Sequence, residues 1–355
     1  MGTDLAALCR DMVAIPSVSQ REKSLADFVV EYLGGVKGLD TTRIGNNVVA
    51  RSSFGRQYRI LIAGHLDTVP PDDNLVPLVR DGRIYGLGSA DMKSGLAVML
   101  GLADQVTSFS MDVTFIFYVC EEAVASLSGL KEIERSDEEI FASQAAILME
   151  PTSSRIEAGC QGTMRIRCDI RGKRAHTARP WVGVNAIHRL GELVQRISNA
   201  ELEDPVIDGL QFREALQVVK ISGGVANNVV PDLASIVVNH RFAPDKGIEE
   251  AFQSVRRLLG DLIDQDNGDE VVLEEGVLGA MPNLDSPFIA KLLEITGEMP
   301  KAKLGWTDVA FFSARGIPAT NFGPGDPLVA HTKDEFVEVK EIDLAFNAMN
   351  YALRV

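Results

Sequence analysis

Residues 60–70 read ILIAGHLDTVP. Ile60–Ala63 is an apolar run of strand length bounded by Gly64, and His65 and Asp67 follow at once. Such a run reads as a buried strand. The pattern recurs. VTFIFYV (113–119) runs into Glu121 and Glu122, AAILM (145–149) into Glu150, and ATNF (319–322) into GPGDPLVA and then His331. Helix-like stretches at 94–106 and 123–135 lie between the first three runs. Strands alternating with helices predict an α/β sheet that is at least partly parallel. Ligands of such sheets bind beyond the carboxyl ends of the strands, so histidines and carboxylates are delivered to one rim. Asp91 comes from a Gly-rich turn, GLGSADMKSG (86–95), that opens a helix.

Outward from this frame, residues 3–14 and 21–34 carry helical periodicity, stopped by Ile15-Pro16 and Gly34-Gly35. The middle of the chain differs. Residues 164–171, 216–222 and 233–242 alternate apolar and polar, as half-buried strands do, and 184–198 and 247–264 are helical in pattern. This predicts a smaller α+β unit with an antiparallel sheet over 162–277, inserted into a discontinuous first domain of 1–161 and 278–355.

The chain has 355 residues, 46% of them hydrophobic, which is enough for two packed domains. A net charge of -15 argues against nucleic acid or an anionic membrane as partner. A small anionic substrate needs only a local cationic cluster. The cysteines Cys9, Cys120, Cys160 and Cys168 form no CxxC pair and no disulfide framework, and Cys120 and Cys168 sit in core-like runs. The N-terminus lacks a basic region followed by an apolar stretch, and no run is long enough to span a bilayer. A reducing cytoplasm is the expected compartment.

Each rim residue has an ordinary reading. A lone His after a strand is usually a loop residue, adjacent glutamates usually start a solvated helix, and Asp91 could cap one. The glycines before Asp91 fall short of a dinucleotide fingerprint. Together these readings weaken, because every strand end carries a ligand-type group. Two histidines and three carboxylates suit a pair of zinc ions. Two ions about 3.5–4 Å apart need a bridge, which one carboxylate can give. A carboxylate left over must move the proton of an attacking water. Glu121 and Glu122 are neighbours, so one can ligate while the other faces the water. Asp67, two residues after His65, is placed to orient the imidazole.

GHLDTVP (64–70), YGLGSADMKSG (85–95), CEEAVASLSGL (120–130), LMEPT (148–152) and GDPLVAHTKDEF (325–336) together resemble the di-zinc amidohydrolase and exopeptidase family. EAGCQGTMRI (157–166), SGGVANNVVPDL (222–233) and GWTDVAFFSARGIPATNFGPGDP (305–327) are most similar to its desuccinylases in their actinobacterial form. The resemblance implies a zinc-exopeptidase-like α/β domain with a central mixed, largely parallel sheet, plus an inserted α+β dimerisation or lid domain. It implies two Zn2+ per chain, with Co2+ an acceptable substitute. His65 and Glu150 would bind one ion, Glu122 and His331 the other, and Asp91 would bridge them, with a cis Asp91–Met92 peptide. Glu121 would be the general acid/base, with Asp67 supporting His65. His176, in GKRAHTARP, matches a histidine that reaches the partner subunit's active site to stabilise the oxyanion. Asn228 and Arg241 match residues that hold substrate carboxylates, and Arg179 is a further substrate candidate. His188 and His240 match no motif and read as structural.

The implied reaction is hydrolysis of N-succinyl-LL-2,6-diaminopimelate to succinate and LL-2,6-diaminopimelate, for lysine and cell-wall precursors, by a cytoplasmic homodimer acting on a small anionic N-acyl amino acid. The alternatives are an acetylornithine deacetylase-like enzyme, a small-peptide carboxypeptidase or a non-enzymatic binding member. Cys160 and Gln161 stand where proteobacterial desuccinylases carry paired arginines, and GWTDVAFF (305–312) stands where those enzymes have a Thr-Ser pair.

Overall fold

The computed structural model describes residues 3–355; Met1 and Gly2, which open the stretch read for a targeting signal, lie outside the described residues. In chain order the elements begin with helices α1 (Leu5–Val13) and α2 (Lys23–Gly34) and strands β1 (Asp40–Ile44), β2 (Asn47–Arg51) and β3 (Arg59–His65). Helix α3 (Ser94–Ala103), strand β4 (Asp112–Tyr118), helix α4 (Gly129–Ser136) and strands β5 (Ala145–Leu148) and β6 (Glu157–Ala158) follow. Next come β7 (Gly162–Arg171), α5 (Ala186–Ser198), β8 (Ala215–Gly223), β9 (Leu233–Phe242), α6 (Ile248–Leu259) and β10 (Glu270–Val277). The chain closes with α7 (Pro287–Thr296), β11 (Lys301–Ala302), β12 (Ala319–Asn321) and α8 (Val339–Arg354).

The chain divides into two compact units. The first takes the chain up to Ala158 together with Pro282–Lys301 and Phe311–Val355. The second takes Gly159–Met281 and Ala302–Ala310. Against the expected borders at 161/162 and 277/278, the second unit is a few residues longer at each end, and a separate short segment belongs to it.

An eight-stranded sheet, β1-β2-β4-β3-β5-β12-β6-β11, carries the first unit. Its centre, β4-β3-β5-β12, is parallel, while β1, β2 and β6 run antiparallel to their neighbours. The central strands β4 and β5 are mostly apolar because both faces are covered, and both are buried at every residue. All ten residues of α3, SGLAVMLGLA, are buried as well, as a helix apolar on every side requires. Gly95, in its first turn, allows a close approach. A Cβ there would lie 2.2 Å from the carbonyl oxygen of Met149, the residue before Glu150.

The helix expected over 123–135 begins only at Gly129. Cys120 takes φ +59, which a right-handed helix excludes. The Asn47 side chain accepts from the Val119 amide at 3.0 Å, and the Gly129 amide donates to Val119 O at 2.8 Å. Residues 119–128 therefore form no α-helix, only a 3-10 turn at Ala125–Leu127, and the two glutamates sit on the loop before that turn.

The second unit is a four-stranded antiparallel sheet, β8-β9-β7-β10, with α5 and α6 on one face. The alternation in β9 is regular, with Ala234, Ile236, Val238, His240 and Phe242 buried. These pack with Ile166, Cys168 and Ile170 of β7, Leu190 and Leu193 of α5, and Phe252 and Val255 of α6. Truncating a Leu or Ile of such a layer to Ala costs about 2–5 kcal/mol. The Asn185 side chain caps α5 by accepting from the Ile187 and His188 amides, a contribution of about 1 kcal/mol.

Candidate metal centre

The parallel strands end on one edge. His65 closes β3 in register with Tyr118 of β4, and Glu121 and Glu122 follow Tyr118 by a short loop. Leu148 of β5 is in register with Ala63 of β3 and with Asn321 of β12. Glu150 lies just past β5, and His331 lies in the loop that follows β12. Asp91 arrives from the turn before α3, and its peptide bond to Met92 is cis.

These side chains converge. His65, Asp91 and Glu150 present donor atoms within 4.8 Å of one another, and so do Asp91, Glu122 and His331. Asp91 belongs to both sets. Its Oδ1 lies 3.0 Å from Nε2 of His65 and its Oδ2 lies 3.4 Å from Nε2 of His331. His65, Glu121 and Glu122 form a third set, so Glu121 stands at the edge of the same cluster.

Asp67 ties three of the donors together. Its two carboxylate oxygens accept the backbone amides of Glu121 and Glu122, each at 3.0 Å, and Ser19 Oγ donates to it at 2.7 Å. Toward His65 the nearest contact is the Asp67 backbone carbonyl, 3.0 Å from Nδ1, with the carboxylate at 3.5 Å. Orienting the imidazole is thus shared between main chain and side chain, and the carboxylate also places both glutamates.

The electrostatics follow from this crowding. Burial alone would lower the pKa of His65, yet Asp67, Asp91 and Glu150 outweigh it and raise the imidazole well above 6.5. Contacts to Asp91 and Glu122 raise His331 to about 10. Burial pushes the Asp91 carboxyl up, but His331 and His65 hold it well below the usual range. Four carboxylates facing two imidazoles form a nitrogen and oxygen donor set with excess negative charge. That set fits divalent cations of the zinc kind.

The second unit groups three of the remaining expected residues. His176 lies in the short strand Ala175–His176, paired antiparallel with Val229–Val230. Asn228 O accepts from the Thr177 amide at 3.0 Å, and His176 O accepts from the Arg179 amide at 2.8 Å. All three residues are exposed. His176 Nδ1 accepts from the Ala178 amide at 3.0 Å, so in the neutral ring Nε2 carries the proton. Arg241 lies apart, at the end of β9 opposite Thr163 and Ala215. It is half-buried, burial lowers its pKa, and it makes no ion pair among the described residues. Of the histidines read as structural, His188 is exposed, while His240 is buried 3.7 Å from Glu214.

The sequence reading missed Glu335 and Ser19. Glu335 lies inside the quoted run HTKDEF, yet a Glu four residues past a His looks like an ordinary surface charge. In the structure it is 1% exposed.

Comparison with known proteins places this arrangement. Across 349 residues the chain is 43% identical to a putative succinyl-diaminopimelate desuccinylase of Mycobacterium tuberculosis, covering 98% of this chain and 97% of that one. It is 44% identical over 345 residues to the succinyl-diaminopimelate desuccinylase of Corynebacterium glutamicum, covering 96% and 93%. A tripeptidase structure from Staphylococcus aureus shares the fold, with TM-score 0.81 at 23% identity over 99% of this chain and 97% of that one. The sequence profile described as Peptidase family M20/M25/M40 matches residues 61–354, and with nearly full-length relatives at 43 and 44% identity the chain belongs to that family.

Proposed function

We propose that the chain hydrolyses the amide of N-succinyl-LL-2,6-diaminopimelate, using two zinc ions per chain. The class of reaction follows from the family: the chain is a metal-dependent amidohydrolase. The observation that carries the metal reading is Asp91, whose two carboxylate oxygens face His65 on one side and His331 on the other. His65, Asp91 and Glu150 would hold one ion, and Asp91, Glu122 and His331 the other. Co2+ offers similar chemistry for the same donors.

When bound, such a pair acidifies a water and polarises the amide carbonyl. The chain's own groups do the rest. Glu121 takes the proton of the attacking water and returns it to the leaving amine. Asp67 keeps Glu121 and Glu122 in place through their amides. His176, with its proton on Nε2, is a donor suited to a developing oxyanion in a partner subunit. Arg241 brings a guanidinium without a carboxylate, and Asn228 and Arg179 add further donors, for the carboxylates of a small anionic N-acyl amino acid.

The desuccinylase names of both close relatives support this choice of substrate. Homodimerisation would use the second unit, whose edge strand β8 exposes Val219 (59%) and Ile221 (62%). Four free, buried cysteines support a reducing cytoplasm. Among the described residues no helix is long and apolar enough to cross a membrane.

The test is a rate comparison for the metal-loaded protein on N-succinyl-LL-2,6-diaminopimelate, N-acetylornithine and a dipeptide. The first should give the highest kcat/KM. A clear preference for either of the others replaces the substrate while leaving the metal centre intact.

A further inference from the structure

Glu335 is a buried carboxylate without a salt bridge. Among the described residues it makes no ion pair, and the nearby buried Lys93 gives its Nζ to the carbonyl of Ile15 at 2.7 Å. Its contacts come from main-chain amides. Gly88 N donates to Oε2 at 3.0 Å, while Ala90 N and Asp91 N donate to Oε1 at 2.9 and 3.0 Å. Its own carbonyl accepts from Gly86 N at 3.0 Å. Burial raises the Glu335 carboxyl to about 7, and the three amides act against that by favouring the ionised form, to which amide bonds are about twice as strong as to a neutral acceptor. The turn over 86–91 thus forms an anion-binding nest filled by a side chain of the same protein.

The location gives this clamp a purpose. The turn ends in Asp91, and Glu335 lies four residues beyond His331. One side chain therefore ties the segment bearing the shared carboxylate to the segment bearing the second histidine. We propose that Glu335 is a positioning residue for the metal pair: its carboxylate holds the 86–91 turn by three amide hydrogen bonds and so fixes Asp91 between His65 and His331. The inference rests on the metal-centre reading above. Because Asp91 faces both histidines, losing the clamp weakens both metal positions together. A tether that only stabilised the loop would lower the melting temperature and leave metal affinity unchanged.

The metal-free parent and Glu335→Gln are titrated with Zn2+ against a chromogenic chelator, and amide exchange is followed in both. The carboxamide keeps the volume but turns a donor toward at least one amide. Zn2+ affinity should fall about 10–100-fold at both positions, and the amides of Gly88, Ala90 and Asp91 should exchange faster. Two Zn2+ bound by the variant within threefold of the parent would overturn the inference alone. A parent that takes up no Zn2+ pair would overturn the metal-centre reading, and the inference with it. Rapid exchange of those three amides in the parent would also overturn the inference, whether or not the variant folds.

Discussion

Nε2 of His331 stands 2.6 Å from Oε1 of Glu122, although 209 positions separate them in the chain. Without metal this is an ion pair. His331 is raised to about 10, so it stays protonated through neutral pH. Its contribution to the metal-free fold is complete below the unfolded value near 6.5 and is lost as pH rises through about 10. A metal needs the neutral imidazole, so uptake near pH 7.5 should release about one proton or more per chain, and affinity should rise from pH 6 to 9. Calorimetry in two buffers of different ionisation enthalpy measures the release. Equal apparent enthalpies would show that His331 takes no part.

Glu121→Gln should keep the fold and the metal content of the parent yet lose about 10²–10⁴-fold in turnover. The pair of measurements is metal analysis and initial rate. Near-normal turnover would remove Glu121 from the proton-moving role.

Asp67→Asn keeps one acceptor oxygen and turns an NH2 toward an amide of Glu121 or Glu122. Turnover should drop about 10–100-fold, with weaker metal binding, in a folded chain. Ser19→Ala removes only the hydroxyl bond to Asp67 and should change stability by about 1 kcal/mol or less. Equal effects of the two substitutions would contradict the part given to the amide contacts.

Gly95→Ala places a Cβ 2.2 Å from the carbonyl oxygen of Met149. Helix and strand must separate, which should lower stability by about 1–3 kcal/mol and disturb the neighbouring Glu150. Thermal melting and metal stoichiometry read both effects. An unchanged melting temperature would mean that the packing yields more easily than the distance implies.

Glu214 offers a pH test away from the metal centre. Burial pushes its carboxyl up, but His240, the Ala243 amide and Lys246 outweigh that and hold it down to about 2, against an ordinary 4.5. Its stabilisation is therefore present above about pH 4.5 and is lost as pH falls through about 2. Glu214→Gln should cost about 1–3 kcal/mol at pH 7, and the gap from the parent should close at low pH. A gap independent of pH would assign the effect to packing.

The strand ends were legible in the sequence because two signals coincided there, an apolar run and a ligand-type residue just after it. β3, β4, β5 and β12 lie within a residue or two of the runs read for them. The antiparallel second sheet showed in the alternation of 164–171 and 233–242. What stayed hidden depended on contacts distant in sequence. β1 and β2 are short, and β1 is largely polar, so they gain their identity from pairing with each other and of β2 with β4. Helical spacing after Glu122 was read too early, because nothing local announces the turn that Asn47 imposes on Val119. Asp67 and Glu335 hold backbone amides, and an amide leaves no mark on the residue code. Ala302–Ala310 belongs to the second unit through contacts such as Trp306 Nε1 to Leu278 O at 3.1 Å, which no local pattern encodes.

The parallel centre of the first sheet has one last consequence. Its donors leave from different strands, so any single cut of the main chain between 65 and 331 puts the two histidines on separate fragments. A nicked protein could then be rejoined by metal held between the two fragments. Added metal would raise the yield of fragment reassembly, and a chelator would let the pieces drift apart.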